Sequence, residues 1–559
     1  MTEPTSQQRS AVGKRLHSAT SSALAWDIVL ALITVAWSFV FIRLFFPGRV
    51  NVDIANQYLQ AIGTIPVTDW HPPIMSLVWG ALIDLTGQAG SLLVAQVAML
   101  GLTSWLVGVL AHRQGAPRWV SLLGPAVMLT PWVLSQMTTL WKDTQMAVAL
   151  LLAVVLLIIA RAVPKAWVLW IPAVVLLVYA LEVRKNAVFA IVPIAIYAAF
   201  CLVERFNRSE RPDPGGNRLG GRLSSRLRRF SRRRSLLSIA ALSLAVLAIL
   251  GVGVKATDAA IGSAVDVKPT GQISQIFLDD VMFSVPDAQL QASDAPAELK
   301  DHISSARNTC LERGEIWDAY WNCYGRGVSG RAFSPIAFQG ELKDLWLSEV
   351  ITHPVRYLEY RTAVFSTYFF TSSLEYWEAD WDGDAVKAGI AAGSTKAEYI
   401  FKPYVEDFAL ATFPMLFKPW FWSLLAVVVL GIAWRTRPVR AHPARTRPAH
   451  TRPAREQPQR QRNLAPEQLQ RQRNLAPEQP QRQRNLAPEI TTLATSALCY
   501  VFGYFPIVPA NHFRYTFWPA LAVTVAVVFV LAGWRRRRSA GRSRSSGAPR
   551  SWAFSESGT

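Results

Sequence analysis

Charge is what this chain of 559 residues has least of: charged residues make up 17% of it, where an ordinary soluble domain carries about 25%. Acids are the scarcer half, with 38 Asp and Glu against 58 Lys and Arg, for a net charge of +20. Cysteines number four and histidines eight, with no CxxC pair and no His-rich tract, which argues against a zinc site. In place of charge the chain carries apolar residues, 51% of the total, and 21 Trp. These proportions exclude a secreted soluble enzyme and a cytosolic nucleic-acid binder. A chain both apolar and basic is a membrane protein with its cations gathered on one side.

The cations sit in blocks. Residues 205–234 hold eleven Arg, 435–484 thirteen and 535–550 seven, together 31 of the 58 basic residues. Residues 257–407 run the other way, with 23 acids against 12 bases. Such blocks can be nucleic-acid arms, but each abuts an apolar run of spanning length, and membrane flanks explain them without further assumption. Spans need roughly 17–25 apolar residues. Ten candidates lie at 23–46, 91–111, 119–140, 144–160, 166–181, 187–203, 236–254, 420–434, 493–509 and 517–534. Walking through ten spans from a cytoplasmic N-terminus places all three Arg blocks inside and the acidic segment outside, as the charge rule requires.

The expected class is therefore an all-α polytopic membrane protein of about ten transmembrane helices with a mixed or α-rich extracytoplasmic domain. Its N-terminal half divides into a cytoplasmic N-terminus (1–22), a membrane core (23–204) with its first outward loop at 47–90, a basic cytoplasmic loop (205–235) and a span (236–256). The acidic domain (257–407) follows, then an interfacial and spanning helix (408–434). A basic linker (435–490), two spans (491–534) and a basic tail (535–559) complete the chain. The first apolar run is too long for a signal peptide, and no small-residue cleavage site follows it. The linker repeats an eleven-residue unit, QPQRQRNLAPE at 457–467, with Pro inside each copy and one large apolar residue. Too little surface is available there to offset chain entropy, so the segment reads as disordered. Cys310 and Cys323 lie in the outer segment, an oxidising location that permits a disulfide.

Polar residues collect at the outward ends of the spans. The first outward loop carries Asp53, then Asp69, His71, Pro72 and Pro73 ahead of an apolar run, 74–85, too short to cross a bilayer. That run reads as an interfacial helix entered through its two prolines. Later outward loops bring Lys142 and Asp143, then Glu182, Arg184, Lys185 and Asn186, then His512, Arg514 and Tyr515. Each taken singly reads as an interfacial anchor or a solvated loop residue, and His71 as a cap for the Pro pair. Outward cations nevertheless run against the positive-inside bias. Gathered on one face, they point to an anionic ligand, and Arg recognises phosphate bidentately.

An early acid in the first outward loop, followed by HPP and an interfacial helix, resembles the GT-C membrane glycosyltransferases, among them the protein O-mannosyltransferases and the lipid A aminoarabinose transferases. The likeness covers mainly the first 200 residues and the Arg514–Tyr515 pair. It implies a GT-C-like fold and transfer of a sugar from a polyprenyl-phosphate donor to an extracytoplasmic glycan, lipid or protein in the cell membrane. It further implies Asp53 as the catalytic acid of the first loop, with Asp143 and His71 as catalytic companions. Arg184, Lys185, Arg514 and Lys142 become candidates for the donor phosphate, and Asp69 and Tyr515 further loop-site residues. The chain departs from the mannosyltransferase pattern in having a lone Asp53 where an Asp-Glu pair is usual, and in lacking a recognisable soluble repeat module, which leaves the acceptor open. Two acids do not decide whether a divalent metal takes part. Aromatics in the outer segment (Trp317, Trp321, Tyr324, Trp377, Trp381) form its core or a sugar-stacking surface. Competing classes are a lipid or glycolipid transporter or flippase and a non-catalytic scaffold. Transporters place ionisable residues near the midplane on broken helices in paired repeats, and these spans are nearly free of interior charge.

Overall fold

In the computed structural model the described residues are 6–209, 224–325, 336–370, 383–390, 395–435, 485–508 and 510–545. The first two eleven-residue repeats, residues 479–484 of the third, Trp377 and Trp381 lie outside them; residues 485–489 of the third repeat are described and run into the helix Ala487–Gly503, so the disorder expected of 435–490 does not extend to the end of that segment. The chain is a multi-pass helical membrane protein, and among the described residues there are isolated β-bridges but no strands.

Helix α1 (Ser6–Phe45) enters the bundle and ends at a turn before α2 (Val52–Ala61) and α3 (Pro73–Thr86). The Asn51 side chain caps α2 by accepting from the Ile54 amide at 3.1 Å, and Pro73 occupies the first turn of α3, where a missing N–H costs nothing. α3 is the short apolar helix expected after the double proline. It lies against α2, where a Cβ on Gly80 would stand 2.7 Å from the Ala61 carbonyl.

Helix α4 (Ser91–Arg113) follows, and α5 (Arg118–Ala126) crosses it at Gly108 and Gly124. A Cβ on Gly124 would lie 2.5 Å from the Gly108 nitrogen. Small residues at such crossings let backbones approach where lipid supplies no hydrophobic drive. The span expected at 119–140 is broken. α5 gives way to a 3-10 turn and α6 (Pro131–Met137), bent by 44°, because Thr130 precedes a proline and is extended (ψ 137°).

Helix α7 (Lys142–Ala162) is the centre of the bundle, with nearly every side chain enclosed by protein. It packs on α4, on α8 (Trp170–Val183) and on the last helix, Phe517–Ser545. α9 (Ala187–Ser209) and α10 (Ser224–Ala264) pair beside it, α10 being the spanning helix least covered by protein. Among the described residues seven helices are long and apolar enough to span, eight if the bent pair counts as one. Eight of the ten expected spans, the bent pair counted as one, meet this criterion of length and composition. At the two remaining positions stand helices of 17 residues each, Pro419–Arg435 and Ala487–Gly503.

Residues after α10 build an α-rich domain, beginning with α11 (Ser274–Ser284), around a second core that includes Leu278, Met282, Leu299, Ile303 and Tyr320. A disulfide joins Cys310 and Cys323 with Cα atoms 5.5 Å apart. The first loop belongs to this domain as much as to the bundle. Trp70 enters its core, Thr68 pairs with Lys268, and Asp69 Oδ1 accepts from the Thr270 amide at 2.6 Å. A second seam runs through Arg361, buried against Asp280 at 2.7 Å and donating to the Val508 carbonyl at 3.5 Å.

At the opposite end of α7, Arg161 pairs with Glu204 at 2.8 Å and with Glu489, which also accepts from Tyr197 at 2.9 Å. The charged clusters therefore sit at the ends of α7, leaving its middle to Leu, Val and Ala.

Candidate functional site

Between the bundle and the domain lies a cavity of about 1110 Å³, above the usual 300–1,000 Å³ of ligand pockets. Its bundle wall carries Asp53, Lys142, Arg184, Lys185, Arg514 and Tyr515. Four loops separated by up to 460 residues are thus brought to one surface. The domain wall carries Trp70, Gln275, Asp279, Trp317, Asp318 and Trp321.

Asp53 stands in the first turn of α2, where a carboxylate suits the helix dipole. Arg514 Nη1 donates to its Oδ2 at 3.2 Å, and the same guanidinium lies 4.4 Å over the Trp141 ring and donates to the Tyr515 hydroxyl at 3.0 Å. Burial works to raise the Asp53 carboxyl, but His71, Arg514 and Lys142 together outweigh it and hold the group below its ordinary value. Asp53 is a carboxylate.

His71 is fully buried and stands behind the cavity wall rather than in it. Burial and then the Lys142 charge push its pKa down to about 3, leaving a neutral imidazole at ordinary pH. From behind that wall it lies within the electrostatic reach of Lys142, Asp53, Arg514 and Arg184.

Asp143, expected in a loop, is instead in the first turn of α7, with no exposure and no share of the cavity lining. Its Oδ1 accepts from Arg184 Nε at 2.8 Å, with Nη2 of the same guanidinium also 2.8 Å away in an ion pair. Arg184 reaches the Tyr504 hydroxyl at 3.4 Å and covers the Tyr515 ring at 5.3 Å. Asp143 thus orients a cavity cation. Lys185 is held by Glu182 at 2.7 Å and Asp258 at 3.7 Å, with its side chain 65% exposed at the cavity's edge. Asp69, although a lining residue, has its Oδ1 occupied by Thr270.

Lys142 is different. Only 7% exposed and facing the cavity, it makes no hydrogen bond or ion pair among the described residues. Its place as first residue of α7 puts a cation at the positive end of a helix dipole. A buried charge is normally paired. Asp53 and Asp143 lie within its field but do not touch it, so an anion in the cavity would be its first direct partner.

Among the described residues no three His, Cys, Asp or Glu side chains gather as a metal site. Of the aromatics named from sequence, Trp317 and Trp321 line the cavity, while Tyr324 is buried, stacked on His302 at 4.0 Å. Sequence reasoning missed Asp279, Asp318, Gln275 and Tyr504. The two acids were two among 23 in the domain, and the Trp-Asp-Ala-Tyr-Trp run around Asp318 was the only local signal.

The fold and cavity define a multi-pass helical membrane protein with a largely apolar chamber, carrying charged groups on its walls, under a helical domain. Comparison with models of known protein families, with curated proteins and with solved structures gives no match.

Proposed function

We propose that the protein is an integral-membrane glycosyltransferase that moves a sugar from a polyprenyl-phosphate donor to an extracytoplasmic acceptor, a glycan, lipid or protein. The observation that carries this reading is the buried, unpaired Lys142, with Arg184 and Arg514 on the same wall as the carboxylate of Asp53. Cations fixed beside a carboxylate fit a reaction in which a phosphate leaves while a hydroxyl is deprotonated. The domain-bearing face is then the extracytoplasmic side of the cell membrane.

In this reading Asp53 takes the proton from the acceptor hydroxyl, whose oxygen attacks the anomeric carbon. The bond from that carbon to the phosphate oxygen breaks, and the polyprenyl phosphate leaves with its bonding pair. Lys142, Arg184 and Arg514 meet the charge that develops on the phosphate. The Asp53–Arg514 pair keeps the base weak in the empty site. An arriving phosphate engages Arg514 and Lys142, relieves the field on Asp53 and raises its basicity.

Transport is less well supported, because the charged groups described here collect at the ends of α7 and not along its middle. The test is transfer by the full chain in liposomes, with polyprenyl-phosphate-linked radiolabelled hexose or pentose and a cell-envelope extract as acceptor. Label entering the extract supports the reading. Label crossing the liposome wall without transfer makes the protein a flippase, and neither outcome with any donor removes both.

A further inference from the structure

The domain wall of the cavity contains an unusual residue. Asp318 has φ +52°, a left-handed conformation that a non-glycine side chain adopts at a cost in energy. The turn is held there by a buried partner: Asp279 accepts from the Asp318 amide at 3.2 Å and from the Ala319 amide at 2.9 Å. Gln275 donates to Asp318 Oδ1 at 2.6 Å, fixing the carboxyl's rotation. Three residues of the domain are thus committed to presenting one carboxyl to the cavity. Burial, and then the neighbouring Asp279, raise that carboxyl well above the usual range, against the pull of Arg514. It therefore tends to the acid form, able both to donate and to accept a hydrogen bond.

On either side stand Trp317 and Trp321, both lining the cavity. Trp321 is braced edge-on by Trp70 at 5.8 Å and by Tyr320 at 5.2 Å, so its orientation is set by the domain core. A fixed hydroxyl-binding group on the same wall as two indoles suits a sugar ring, whose C–H faces are apolar and whose edge carries hydroxyls. The phosphate-binding cations occupy the bundle wall, which leaves the domain wall for the other substrate.

Resting on the transfer reading, we infer that Asp318, with Gln275, Trp317 and Trp321, forms the acceptor subsite and that the acceptor is a carbohydrate. Asp318 binds an acceptor hydroxyl and sets acceptor specificity, while Asp53 remains the base.

The variant Asp318→Gly removes the carboxyl and relieves the positive φ, so the turn is retained. Asp318→Asn keeps both a donor and an acceptor and tolerates the same backbone. Binding is measured on the purified full chain by saturation-transfer NMR with methyl hexosides and pentosides, and in parallel with farnesyl phosphate and a polyprenyl-phosphate-linked sugar. A charged or buried hydrogen bond of this kind is worth about tenfold or more in affinity. The expected result is a loss of that size for the best-bound methyl glycoside in Asp318→Gly, recovery in Asp318→Asn, and unchanged binding of both polyprenyl ligands. No glycoside binding to the wild type, or equal binding to Asp318→Gly, overturns the inference. Weakening confined to the lipid-linked sugar also overturns it, because Asp318 then serves the donor. Glycoside binding lost in Asp318→Gly, with neither polyprenyl ligand binding the wild type, leaves the carbohydrate wall standing and sinks the donor assignment.

Discussion

Replacing Lys142 by Met tests the electrostatic logic of the chamber, because it should move stability and binding in opposite directions. Methionine keeps an unbranched chain of similar length and is a good helix former, so the packing of α7 is preserved. Removing the charge takes away two penalties of the empty protein. One is the unfavourable helix-dipole contact, about 0.3–1 kcal/mol. The other is the desolvation of an unpaired ammonium, several kcal/mol for a fully buried ion and less here, because Lys142 faces the cavity. Ligand-free Lys142→Met should therefore be stabilised by about 1 kcal/mol or more. Binding should suffer the reverse, since a hydrogen bond to a charged group is worth about 1.5–3 kcal/mol, or about 10- to 150-fold in Kd. Thermal unfolding of the full chain in nanodiscs reads the first quantity and titration with farnesyl phosphate reads the second. A variant less stable than wild type, or one that binds farnesyl phosphate equally well, refutes the argument that Lys142 is held for an anion.

Two further outcomes follow from neighbouring residues. Asp53→Asn keeps the shape of the side chain but removes the basic carboxylate, so sugar transfer should fall by about 100- to 10,000-fold while farnesyl phosphate still binds; wild-type transfer would show Asp53 to be a structural partner of Arg514 only. In the domain, burial raises Asp279 from 3.8 to about 7, so folding takes up a proton between those values. The stability it confers is full below about pH 4, declines as pH rises toward 7 and is flat beyond. Unfolding midpoints of wild type and Asp279→Asn compared across that window should show a steeper decline in the wild type, and parallel curves would contradict the assignment.

The membrane class was legible because its signals are compositional. Arg blocks beside apolar runs fix a helical bundle without any knowledge of packing, and Pro72 with Pro73 placed the start of α3 directly. The break at Pro131 was hidden because its flanks are as apolar as any span, and only the extended Thr130 reveals it. At the site, sequence located Asp53, Lys142, Arg184 and Arg514 by their outward ends, which topology alone supplies. It could not separate Asp143 from Lys142, adjacent in the chain, although one faces Arg184 in the interior and the other the cavity. Helical rotation decides that. Asp318 was invisible for another reason: its distinction is a backbone angle and a buried partner 39 positions away.

The two seams that bind the domain to the bundle have a consequence for traffic. Asp69 with Thr270 on one side and Arg361 with Val508 on the other join the domain to the bundle at separate points. For the lipid-linked donor proposed here, the flank offers a way in. Lys185, Asp258 and Gly262 are lining residues that also meet the surroundings, and two of them belong to α10, the spanning helix with least protein around it. A long-chain lipid can slide its head past α10 into the chamber while its tail never leaves the hydrocarbon. The proposed donor would then reach the chamber by diffusion in two dimensions through a doorway in the wall, and its spent carrier would leave by the same door.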